Sequence, residues 1–122
     1  MSEGSLVQEF GGRSALRVRV YVGERDHHGG QPLYTAIVDA ARRAGLGGAT
    51  VIKGIEGFGS HSVVHAARIV DLSSDLPVIV EIVDEPARIA PFVDVLRGMI
   101  EDGMMTLESV CVIDRRAGTQ LR

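Results

Sequence analysis

The order of elements in this sequence predicts an α+β fold: a four-stranded antiparallel sheet with two helices on one of its faces. Three observations carry that expectation. One stretch near the N-terminus alternates apolar and charged residues, as a half-buried strand does. Two later stretches repeat apolar residues at helical spacing. Between those helical stretches lie two strand-like runs, the second of them apolar on both faces.

The elements follow in order. Residues 1–14 are polar and glycine-containing without periodicity, and read as a flexible tail. In residues 16–23, Leu16, Val18, Val20 and Val22 face one way, while Arg17, Arg19 and Tyr21 face the other. Residues 24–30 end in Gly29 and Gly30 and read as a loop. Pro32 opens a helix, where its missing N–H costs nothing. Leu33, Ala36, Ile37, Ala40, Ala41 and Ala44 form its apolar face. Arg42 and Arg43 suit its last turn, and Gly45 its C-terminal cap.

A second strand is expected over residues 49–55, followed by a glycine-rich exit. Residues 76–83 form a third strand with Pro77 at its start; Glu81 is its only charged residue. Helices cover one face of such a sheet, so the other face is expected to meet another subunit. Asp84 and Pro86 announce the second helix, with Asp84 as N-cap candidate. Ile89, Phe92, Val93, Leu96 and Ile100 keep its phase through Pro91, and Gly103 ends it. Residues 106–113 are the fourth strand, and 115–122 a polar, basic tail. The order strand, helix, strand, strand, helix, strand is that of a ferredoxin-like sandwich over residues 15–114.

Composition narrows the function classes. The 122 residues make one domain with an aliphatic core, since aromatics are 4% of the chain and Trp is absent. A net charge of −3 leaves no electrostatic footprint for nucleic acid. No apolar run approaches a membrane span of about 20 residues, and no secretory signal is visible, so a cytoplasmic protein without direct membrane insertion is expected. The single cysteine, Cys111, lies in an apolar run and reads as a buried structural thiol.

The feature that asks for a cause is the set Gly54, Gly57 and Gly59, because glycine weakens a strand. A bulge or close backbone approach is one cause; a ligand cleft is the other. His27, His28, His61 and His65 match no strong zinc motif and read as loop histidines, with a metal site as the alternative. Glu81 reads as one member of a structural ion pair, with Lys53, Arg17 or Arg19 as partner. No nucleophile with a matched base stands out, and no enzyme is expected. Arg115 and Arg116 read as a solvated tail or as phosphate contacts.

The run from Gly48 through Thr50, Lys53 and Glu56 to Gly59 carries a family resemblance, together with Val22 to Asp26, Pro32 to Tyr34 and Asp75 to Val78. It resembles the PII-like domain-of-unknown-function family number one hundred and ninety, related to PII signalling proteins and CutA. The resemblance implies a homotrimer that binds a small ligand, an adenine nucleotide, in clefts between subunits, with no obligatory cofactor. Thr50, Gly57, Phe58, Gly59, Ser60, Arg115 and Arg116 are the implied ligand contacts. His61, Ser62, His65 and Arg68 would belong to a shortened partner-binding loop, the partner being a membrane transporter or another regulated protein. Residues 102–108 occupy the place of the PII phosphate loop but hold one glycine and no lysine. A CutA-like metal-binding protein and a structural trimer without ligand are the alternatives.

Overall fold

The structure is a computed structural model of the chain, and it describes residues 1–59 and 75–115. Four strands form the main sheet: β1 (Arg13–Gly23), β4 (Thr50–Lys53), β5 (Pro77–Asp84) and β6 (Met104–Val112). Their spatial order is β4-β5-β1-β6, antiparallel at each pairing. Helices α2 (Leu33–Arg43) and α3 (Pro86–Met99) complete the predicted ferredoxin-like βαββαβ arrangement.

Alternation decides which face the helices cover. Val18, Val20 and Val22 of β1, and Val78, Val80 and Ile82 of β5, are at most 6% exposed. They share one core with Leu33, Ile37 and Ala40 of α2 and with Ile89, Phe92 and Leu96 of α3. The small residues Ala36, Ala40 and Ala41 let α2 lie close to the sheet. Ala44, assigned to the same face by spacing, is instead the exposed C-cap. Helix α2 stops because Gly45 takes a φ of 77° while its N–H donates to Arg42 O and that of Leu46 to Ala41 O. This is a Schellman arrangement, which satisfies carbonyls the helix leaves open.

Pro91 lies inside α3, exposed, and the helix runs through it. The proline removes one i→i−4 bond. Ile89, Phe92 and Leu96, buried on both sides of it, hold the helix to the sheet.

Several local expectations change. Residues 3–10, read as tail, form α1 (Glu3–Phe10), with the Ser2 hydroxyl accepting the Ser5 N–H at its start. Helix α1 contacts β1 and β6 but buries no residue of its own. The polar sequence thus hid a helix because it has no core-facing stripe. Residues 24–30 hold one strand of a small hairpin, β2 (His27–His28) with β3 (Gln31–Pro32). Gly29 and Gly30, with φ of 61° and 82°, make its two-residue turn. Asp84 does not cap α3. It ends β5, and Glu85 is the N-cap without a side-chain bond. The Asp84 carboxylate is buried and accepts the N–H groups of Gly47 and Glu85, at 2.9 Å and 2.7 Å. Arg88 completes the clamp, reaching Asp84 at 3.5 Å and donating to Gly45 O.

Helices α2 and α3 leave the sheet's second face uncovered. It presents Arg17, Arg19 and Tyr21 of β1, Ile79 and Glu81 of β5, and Glu108 of β6. Arg19 donates to Glu81 at 2.8 Å, and Arg17 pairs with Glu108 while standing 3.9 Å from Glu81. The hydrogen bond to Glu81 raises the pKa of Arg19 above its ordinary value. Glu81 therefore has the arginine partners expected of a structural ion pair, whereas Lys53 pairs with Glu24.

Candidate functional site

The glycine stretch after β4 resolves into two parts with different causes. Gly54 donates its N–H to Pro77 O at 2.7 Å, and a β-carbon there would stand 2.8 Å from the Pro77 ring. At Gly57 a β-carbon would stand 3.0 Å from the same ring. Both glycines are accounted for by the close approach of a neighbouring strand within the chain. Gly59 lies elsewhere, in the wall of a cleft.

That cleft, of about 400 Å³, opens at one end of the sheet. Tyr21, Val22 and Gly23 supply the end of β1, Pro77 the start of β5, and Met104 the start of β6. Phe58 and Gly59 enter from the segment after β4, Asp75 from the approach to β5, and Asp102 and Gly103 from the α3–β6 turn. Asp26 comes from the turn after β1. Among the described residues the lining is thus apolar rings and aliphatics, glycines, and three aspartates.

Hydrogen bonds sew the near wall together. The Asp26 carboxylate accepts the Gly23 N–H, and the Asp75 carboxylate accepts the Arg25 N–H, both at 2.9 Å. Glu24 N–H donates to Leu76 O at 2.8 Å. A β-carbon at Gly23 would stand 2.7 Å from both Asp75 oxygens, so a larger residue here would displace that carboxylate. Gly103 is equally confined, with Tyr21 O at 2.9 Å from its β-carbon position. The Asp26 carbonyl in turn accepts the Leu33 N–H at the start of α2, so the cleft wall is anchored to the core.

Of the residues implied as ligand contacts, the structure brings Phe58 and Gly59 into the cleft. Gly57 sits behind them against Pro77, itself a lining residue. Thr50 is on β4 opposite Glu81, away from the lining. Arg115 follows the far end of β6, whose nine residues run roughly 27 Å from Met104. Within one chain Arg115 and the cleft are therefore apart. Ser60, His61, Ser62, His65, Arg68 and Arg116 lie outside the described residues. Sequence reasoning missed Gly23, Asp26, Asp75 and Gly103 as site residues. Two of them, Gly23 and Gly103, carried a signal: each is a glycine next to an element boundary, where a close approach is common.

His27 and His28 are exposed on the hairpin, with His27 Nδ1 2.7 Å from Arg25 O. Among the described residues no group of three His, Cys, Asp or Glu side chains is placed to hold a metal ion. Cys111, expected buried, is partly exposed, and its thiol contacts Gly11 O at 3.4 Å.

Residues 15–112 match the model of the family DUF190, described as Uncharacterized ACR, COG1993. The chain belongs to this family. A UPF0166 protein of Aquifex aeolicus is 36% identical to the DUF190 chain over 96 residues, covering 79% of this chain and 90% of that protein. A UPF0166 protein of Methanocaldococcus jannaschii is 42% identical over 67 residues, 55% of this chain and 61% of its own length. Among solved structures, CPII of Thiomonas intermedia K12, a nitrogen regulatory PII-like protein bound to ADP, AMP and bicarbonate, aligns with a TM-score of 0.62 and 15% identity. That alignment covers 82% of this chain and 89% of CPII. A second CPII structure, bound to ADP and bicarbonate, gives a TM-score of 0.60 at 18% identity over the same shares. At such identities the likeness shows the fold: the DUF190 chain is PII-like in architecture. Among its described residues no helix is long and apolar enough to cross a membrane.

Proposed function

We propose that this protein is a non-enzymatic, cytoplasmic regulator that binds an adenine nucleotide in clefts between the subunits of a homotrimer, and passes ligand occupancy to a partner protein. The observation that carries the reading is the cleft walled by Phe58, Gly59, Asp75 and Gly103. Its volume of about 400 Å³ suits a small molecule. Phe58 lines it yet is 72% exposed, so one wall of a single chain is open. A neighbouring subunit closing over Phe58 would complete it. The nucleotides bound by CPII, on the same fold, support the ligand class.

Regulation follows from chain connectivity. Gly59 and Asp75 flank residues 60–74, so a ligand held between them touches the chain on both sides of the predicted partner-binding residues His61, Ser62, His65 and Arg68. Occupancy can then bias what that segment offers to a membrane transporter or other target. Arg115 would reach a cleft only from a neighbouring subunit, given the length of β6.

Isothermal titration calorimetry of the purified chain with adenine nucleotides, with and without Mg²⁺, tests the ligand. Binding with one site per subunit is expected. Absence of heat for any nucleotide up to millimolar concentration sinks the reading.

A further inference from the structure

We infer that the cleft wall described here takes the uncharged, donor-bearing end of its ligand, and that Asp26 and Asp75 make the site select against phosphate charge. This rests on the nucleotide reading above and adds to it an orientation and an order of preference.

Asp26 and Asp75 both line the cleft, and among its described lining residues none is Lys or Arg. Asp102 also lines the wall and has an interaction of its own. Lys53, on the neighbouring edge strand, is committed to Glu24. Neither of the first two carboxylates is free to swing away. Asp26 is tied to the Gly23 N–H and Asp75 to the Arg25 N–H, both at 2.9 Å. Asp75 also packs against Gly23, both its oxygens 2.7 Å from where a β-carbon would stand there. The near wall is therefore a fixed pair of carboxylates set among Tyr21, Val22, Phe58 and Pro77.

An ionised carboxylate only accepts hydrogen bonds. Ribose hydroxyls and an exocyclic amine can donate to it, and the aromatic and aliphatic wall suits a base or sugar face. A phosphate oxygen offers no proton and brings like charge. One phosphate charge about 6 Å from a fixed carboxylate, at an effective dielectric of about 40, weakens binding roughly tenfold. The phosphates must then point away from Asp26 and Asp75, and each added phosphate brings less than it would in a basic cleft. A divalent cation on the phosphates offsets the effect.

The test is competition calorimetry with adenosine, AMP, ADP and ATP at constant ionic strength, first with a chelator and then with Mg²⁺. Without the cation the wild-type chain should bind AMP more tightly than ATP, and Mg²⁺ should narrow that gap. Asp75→Asn keeps an acceptor for the Arg25 N–H, and should raise ATP affinity relative to AMP roughly fivefold to tenfold without lowering the melting temperature. Asp26→Asn provides the same readout if Asp75→Asn fails to fold. ATP binding most tightly in chelator, or an ATP-to-AMP ratio that neither variant moves, overturns the charge selection and leaves the nucleotide reading standing. A wild-type chain that binds none of the four overturns both.

Discussion

At residue scale, Gly54 and Gly59 separate two uses of glycine that look alike in sequence. Gly54 faces the Pro77 ring at 2.8 Å from its β-carbon position, with Pro77 O at 3.2 Å. Gly54→Val should therefore force Pro77 and the β4–β5 pairing apart, at a cost of about 1–3 kcal/mol, as overpacking typically does. Gly59→Val should instead lower nucleotide affinity more than stability, because Gly59 lines the cleft. Urea melts and calorimetry on the two variants check this. If Gly59→Val only unfolds the chain, close packing accounts for the whole glycine stretch and the ligand reading loses its support there. The sequence marked these positions as needing a cause but not which cause. Pro77 is more than twenty residues away, and only the β4–β5 register brings it onto Gly54. The same holds for Gly23 and Asp75, which meet because β1 pairs with β5.

At the scale of elements, β1, β5 and both core helices were legible because each buries one face with its own period. Where burial is absent the signal fades. Helix α1 has no buried residue and β2 and β3 are two residues long, so neither leaves a pattern to read. Strand β4 is shorter than expected, Thr50–Lys53, and exposed throughout; it is an edge strand whose regular pairing stops at Gly54. Asp84 shows how a local motif yields to tertiary demand. An acidic residue before a proline reads as an N-cap, but this carboxylate turns inward to hold the Gly45–Gly48 turn through Gly47. Asp84→Ala leaves the Gly47 and Glu85 N–H groups without that acceptor and removes Arg88's partner carboxylate. A loss of about 1–3 kcal/mol is expected. Chemical denaturation should show it as a lower midpoint with an unchanged slope. A stability within error of wild type would mean that the clamp is ornamental.

At the scale of the whole molecule, the sheet face opposite α2 and α3 is the surface the proposed trimer would use. Ile79 lies in mid-sheet on β5, paired in register with Tyr21 on one side and Ile52 on the other. Ile52 is 46% exposed in the single chain. Beside them run alternating charges, Glu108, Arg17, Glu81 and Arg19, on three adjacent strands. Arg17 Nε is buried there without a hydrogen-bond partner among the described groups. In the proposed trimer this face, apolar in part and carrying both charge signs, would meet a neighbouring copy. A buried donor also gains from an acceptor brought by that copy. The proposed trimer would bury this face, and its neighbours would close the cleft at Phe58. Ile79→Arg places a charge in the middle of the face while leaving the valine core on the other side intact. Light scattering should give a mass near three chains for the wild type and near one for the variant, with the variant's far-UV spectrum retained. Nucleotide affinity should fall by at least tenfold in the dissociated variant, since each cleft would keep only one wall. A monomeric wild type would leave the two-sided third strand unexplained and remove the trimer. A trimeric variant would move the interface elsewhere. A monomeric variant that still binds nucleotide at full affinity would place the site within one chain.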